Sequence, residues 1–145
     1  MNIQQKISLK IPLRPTPKGR PRTAVRGGRA VIYTPETTAK FEKAVAQYAR
    51  LQVQNMLTGP LTAILEFHFI PPKSWSKKKK SAAFDHAIKP DLDNLEKSVL
   101  DALEGICFEN DSQICRKSSS KRYGSTDQII VTILSQTANE FVTTS

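Results

Sequence analysis

The sequence predicts a small α/β (α+β) domain, with a mixed β-sheet of four or five strands packed against two main helices. Three observations lead there. Apolar residues alternate with period two at 7–11 and 61–70, a β-branched run fills 129–134, and two segments, 41–56 and 95–103, repeat their apolar positions at helical spacing. A chain of 145 residues suffices for one core, so a single domain is expected over 1–135, followed by a polar tail at 136–145.

Taken in order, Ile7, Leu9 and Ile11 alternate with Lys6, Ser8 and Lys10, the pattern of a strand with one face buried. Four prolines and three glycines between 12 and 28 argue against regular structure there and set the arginines on a loop. The Gly27-Gly28 pair permits a hairpin leading into a short strand at 30–33. Thr34 is predicted to cap a helix with Pro35 at its first position. Its core face runs through Phe41, Ala44, Val45, Tyr48, Gln52 and Met56, and Gly59-Pro60 ends it. Leu61 to Ile70 reads as a central strand. Pro71-Pro72 stops it, and a short lysine-rich helix capped by Ser74 or Ser76 follows Trp75. Residues 112–122 read as a polar, basic ladder, and 129–134 as a strand buried on both faces.

Composition narrows the function classes. No stretch approaches the length of an apolar membrane span and no secretory leader is seen, so a cytoplasmic protein is expected. Cys107 and Cys115 are too few for a zinc knuckle or redox pair and are expected to be reduced thiols in the core or a strand. A net charge of +9 implies an anionic partner, nucleic acid before a membrane surface. The first 35 residues hold eight Lys and Arg and no acid, so Lys18, Arg20, Arg22, Arg26 and Arg29 are assigned to a phosphate backbone. Lys77, Lys78, Lys79, Lys80 and Lys89 form a second group. Trp75, which has the shape to stack on an unpaired base, is expected to be packed instead.

Within this basic chain lies an acidic island. Residues 90–111 carry seven carboxylates against one lysine, Lys97, while the other 123 residues carry 21 Lys and Arg against six acids. Lys89-Pro90-Asp91-Leu92-Asp93-Asn94 reads as an extended run entering a helix, with Asp91 and Asp93 on one side of it. Asp93 is then the expected N-cap, with Glu96 closing a capping box, and Gly105 the left-handed stop. Capping explains Asp93 alone but not the pair. Two like charges held together call for a cation, and all-oxygen donors suit Mg²⁺, with Mn²⁺ as a substitute. Asp111 is a candidate third ligand from a neighbouring strand, and Lys97 a candidate partner for a phosphate oxygen or attacking water. Two readings stand open on the residues alone: a metal-dependent nuclease, and a non-catalytic DNA- or RNA-binding protein whose acidic helix contacts a protein partner. His68 is expected to be structural. Asp85-His86 with Pro90 matches the opening of an HNH nuclease motif, but no histidine follows residue 86 to complete it.

The run KPDLDNLEKSVLDALEG followed by NDSQI resembles the signature of the RusA family of Holliday-junction resolvases, found largely in bacteria, prophages and phages. KGRPR at 18–22, the Tyr33-Thr34-Pro35 step and the 61–70 strand resemble it in order and spacing. The resemblance implies a crossover junction endodeoxyribonuclease acting in DNA recombination and repair. Its essential residues match Asp91, Asp93, Lys97 and Asp111, with Asn110 standing where many members carry another aspartate. It also implies a magnesium cofactor, no organic cofactor, four-way or branched DNA as partner, and a homodimer as the working unit.

Overall fold

A strand with one face against a core alternates between buried and more exposed residues; residues 6–11 do so along their length, and 61–69 do so until His68, which is buried as well. The computed structural model describes residues 4–20, 22–33 and 35–136. In chain order it forms β1 (Lys6–Ile11), β2 (Arg22–Arg26), β3 (Arg29–Tyr33), α1 (Glu36–Gln52), β4 (Leu61–Phe69), α2 (Lys77–Ala82) and α3 (Leu92–Leu103). A 3₁₀ turn (Asp111–Gln113), β5 (Ile114–Tyr123) and β6 (Gln128–Ser135) complete it. In β1, Ile7, Leu9 and Ile11 are buried, and in β4 Leu61, Ala63, Leu65, Phe67 and Phe69 are buried.

The main sheet has the order β1-β6-β4-β5, with β6 antiparallel to both β1 and β4 and β4 parallel to β5. A parallel pair needs a crossover, and the segment between β4 and β5 supplies it, carrying α2 and α3. Val45 and Ala49 of α1 and Leu95, Val99 and Leu103 of α3 meet Leu65, Phe67, Ile129, Val131 and Ile133 of the sheet in one core. This is the expected α+β domain with a mixed sheet and two main helices, plus a short third helix.

Four expectations need correction. Arg22 to Arg26 is a strand, not loop: it pairs with β3 around Gly27 (φ +58) and Gly28 (φ +77), the two positive φ values a tight two-residue hairpin requires. Helix α1 stops at Gln52, four residues early. The Gln52 side chain accepts from and donates to the Lys10 backbone, Val53 is extended, and Leu57 rather than Met56 returns to the core. Pro35 is the N-cap of α1 and not its first residue; Thr34 lies outside the described residues. Finally, β6 buries only Ile129, Val131, Ile133 and Ser135, because the helices cover one face of the sheet. The tail falls outside the described residues from 137 onward; Gln136 donates its amide to the Pro60 carbonyl.

Phe67, on an inner strand of the sheet, is among the largest fully buried side chains. Phe67→Ala should cost about 3–5 kcal/mol in urea unfolding, whereas Leu51→Ala, 84% exposed on α1, should stay within about 0.5 kcal/mol.

Candidate active site

Helix α3 is held by its apolar stripe. With Leu95, Val99 and Leu103 fully buried, the helix cannot roll, and Asp93, Lys97, Asp101 and Glu104, spaced three and four apart, share its outer face. The N-cap is Asp91 rather than Asp93, so the expected capping box is absent. Asp91 makes no side-chain capping bond, which leaves its carboxylate available, and Asp93 sits in the first helical turn. Glu96, buried on the inner side, pairs with Lys117 of β5 at 3.5 Å. Ion pairs to α3 run from Lys18 to Asp101 and from Lys117 to Glu96; Lys97 belongs to neither and is exposed.

The segment leading to Asp91 is fastened to β5. The Lys121 ammonium donates to the carbonyls of Ile88 (2.6 Å) and Pro90 (2.8 Å), and the Tyr123 and His86 amides donate to Phe84 and Lys121. His86 is buried in this wall, its ring 4.2 Å from that of Phe69, with Nδ1 unpartnered. Burial, aided by the charge of Lys121, lowers its pKa. A stacked, enclosed imidazole fits a structural part. His68 is also buried, bonded to Arg122 (3.1 Å) and Gln128 (2.9 Å) on the sheet.

Residues 14–20 cross over α3 and close the other side. Ser98 Oγ donates to the Thr16 carbonyl (2.6 Å), the Lys18 amide to the Asn94 carbonyl (3.0 Å), and the Gly19 amide to Thr38 Oγ1 (2.9 Å). A Cβ at Gly19 would stand 2.6 Å from that same hydroxyl, so the crossing needs glycine. Between this loop and the start of α3 opens a cleft of about 840 Å³. Asp91, Asp93 and Asn94 line one side, Lys18 and Arg20 the other, with Arg14, Lys89 and Phe69 completing the wall. Arg14 is steadied by Asp127 at 3.2 Å and lies over the Phe69 ring.

The structure thus gathers Asp91, Asp93, Lys18, Arg20 and Lys89 in one cleft. Lys97 stands one turn further along the outer face of α3. Asp111 is elsewhere. It opens the 3₁₀ turn before β5, and its carboxylate lies with those of Asp101 and Glu104, all within 4.8 Å of one another. Asp91 and Glu104 cap opposite ends of α3, about 20 Å apart at 1.5 Å rise per residue. Arg26 and Arg29 flank the hairpin turn; Arg22 opens β2, and its side chain lies outside the described residues. Lys77 to Lys80 begin α2, where Ser76 accepts from the Lys79 amide and Lys79 covers the Trp75 ring at 4.3 Å. Trp75 packs edge-on against Tyr123, in line with the packed expectation.

In the sequence Arg14 stands out only as one of the eight cations of the basic arm assigned to a phosphate backbone, and Asp101 and Glu104 only as members of the acidic island, none of them with a role of its own. The acids carried a readable signal, since 93, 97, 101 and 104 mark one helical face. Nothing local set Arg14 apart from the other cations of the basic arm. Lys18, expected on a loop against a phosphate backbone, is largely enclosed and bonded to Glu42 and Asp101. Burial opposes its charge, but the bonds to these two carboxylates outweigh that and raise its pKa above 10.5. Lys18→Met should therefore lose about 2 kcal/mol near neutrality. A folded pKa above the unfolded one gives stability that is complete below 10.5 and lost as pH climbs through the folded value. From neutrality upward, the difference between wild type and variant in thermal melts should stay flat to that point and shrink beyond it.

Among known proteins, residues 12–134 match the family model described as Endodeoxyribonuclease RusA. The chain is also 33% identical over 126 residues to an uncharacterized protein, YqaN, of Bacillus subtilis (strain 168), covering 82% of this chain and 89% of that protein. The matched span takes in the cleft, α3 and the turn at Asp111, and on that ground the chain belongs to the RusA endodeoxyribonuclease family.

Proposed function

We propose that this protein is a structure-specific, magnesium-dependent endodeoxyribonuclease that resolves Holliday junctions and related branched DNA by paired phosphodiester hydrolysis. The observation that carries this reading is the cleft, which sets Asp91 and Asp93 among Arg14, Lys18, Arg20 and Lys89. Cations alone would suit a binding groove. A carboxylate pair in the same groove repels a phosphate, and this arrangement makes sense for chemistry on the phosphate itself.

The donor set fits a hard divalent ion. Asp91 and Asp93 offer only oxygen, both line the cleft, and the Asp91 side chain is not engaged in capping. These two would hold Mg²⁺, or Mn²⁺ in its stead. Bound there, the ion supplies a water activated for attack and neutralises charge on the phosphate. Arg20, Lys89 and Arg14 draw the DNA backbone into the cleft, while Lys18 ties its rim to α1 and α3. Lys97 adds a positive charge beside Asp93 and lowers the cost of the charge that builds on the phosphate. No organic cofactor is needed for such hydrolysis. Arg26, Arg29, Lys77, Lys78, Lys79 and Lys80 extend the grip beyond the cleft, and Arg22 belongs with them by position.

A homodimer completes the reading. Resolution needs two nicks on opposed strands, and a two-fold pair relates the two cutting sites by the same operator that relates the subunits. It also accounts for Asp111. Since one chain keeps Asp111 at the far end of α3 from Asp91, a second copy set antiparallel along this helix would bring its own Asp111 to the Asp91–Asp93 pair.

Asp91→Asn or Asp93→Asn should abolish cleavage of a four-way junction in Mg²⁺, by about a thousandfold or more, while junction binding in EDTA stays intact or tightens. Cleavage that survives either change would refute the assignment. Mixing separately inactive Asp91→Asn and Asp111→Asn chains should restore nicking of one strand per junction. No recovery after demonstrated subunit exchange would mean that Asp111 serves its own chain and not the partner's site, and full activity of Asp111→Asn alone would put it outside the site.

A further inference from the structure

Among the described residues, the hairpin of β2 and β3 joins no larger sheet. Its strands pair only with each other, and a lone two-stranded ribbon is marginal in water unless something covers it. Its register sorts the side chains into two unlike faces. Thr23 opposite Ile32 and Val25 opposite Ala30 make one face without charge, and all four are exposed, Val25 at 77% and Ile32 at 74%. Ala24 opposite Val31 and Arg26 opposite Arg29 make the other.

We infer that this hairpin enters the branch point of bound DNA, with Val25 and Ile32 packed against bases and Arg26 and Arg29 on flanking phosphates, so that it distinguishes branched from linear DNA. The inference rests on the proposed function and adds the element that gives it selectivity.

Charge decides between DNA and a second copy of the chain as the occupant. Arg26 and Arg29 face each other directly across the ladder, an arrangement that costs energy unless an anion lies against it, and the first 35 residues contain no acid to serve. A second hairpin would bring two more arginines. Position agrees: the ribbon follows directly from Arg20, which lines the cleft holding Asp91 and Asp93. DNA matches both faces, because it offers phosphates and apolar base surfaces within the span of a two-stranded ribbon. In a continuous duplex those base surfaces are covered by stacking. Where arms diverge they open to a wedge of Val and Ile size, as with apolar side chains that enter kinked steps.

The test uses the full chain in EDTA with two probes, a four-way junction carrying 2-aminopurine beside the branch and a linear duplex of the same arm sequence. Val25→Thr with Ile32→Thr keeps β-branched shape and strand preference while making the face polar. This variant should bind the junction about tenfold more weakly, the duplex within about twofold of wild type, and lose the fluorescence rise that reports unstacking. Arg26→Gln with Arg29→Gln should weaken both probes and lower the salt dependence of binding. Wild-type junction affinity and fluorescence in the threonine variant would overturn the inference. So would conversion of a wild-type dimer to monomer in sedimentation, which would make this face a contact between copies. If wild-type protein shows no preference for the junction over duplex, the proposed function itself fails, a result separate from failure of the variant alone.

Discussion

The burial of one helical stripe governs this structure. Leu95, Val99 and Leu103 are withdrawn from solvent between the sheet and α1, and a helix pinned by three large side chains on one side has no freedom to rotate. Everything polar on α3 is positioned as a consequence. Asp91 stands at its beginning, Asp93, Lys97 and Asp101 face outward, and Glu104 closes it. The same residues that make the core therefore aim the chemistry, and a change in core volume under α3 would be felt at the cleft.

Around this helix the charges are placed against their own repulsion. The acidic segment lies across a basic chain, and Lys18 links the two by reaching from the crossing loop to Glu42 on α1 and Asp101 on α3. Lys121 does the same from the sheet, holding the two carbonyls just before Asp91. Neither lysine needs to touch DNA to matter, since each fixes one wall of the cleft. The free cations at its mouth, Arg20 and Lys89, are exposed and available to phosphates.

Much of this was legible in the sequence, for physical reasons. Strands β1 and β4 were readable because one face is buried and the other wet, and α3 because its stripe is regular. The hairpin was underestimated because prolines and glycines dominate residues 12 to 28. The Thr-Ala-Val run of β2 is too short to show a period and pairs with a neighbour rather than a core. The early end of α1 depends on Gln52 finding the Lys10 backbone, a contact 42 residues away in the chain that no local pattern records. The site was half legible. Asp91 and Asp93 line one cleft as expected, but not on the extended run expected to align them, since the helix already begins at Leu92; Asp111 meets Asp101 and Glu104 only after the chain has turned at Gly105 and entered the 3₁₀ turn before β5. The capping box failed because Asp91, not Asp93, takes the N-cap.

If Asp91 and Asp93 form the metal-binding centre proposed above, Mn²⁺ makes that directly visible. In crystals soaked with Mn²⁺, anomalous scattering should give a peak in contact with both carboxylates at the head of α3, joined by an Asp111 oxygen from a second copy of the chain. A peak confined to Asp101, Glu104 and Asp111 of one chain, with none at Asp91 and Asp93, would contradict it.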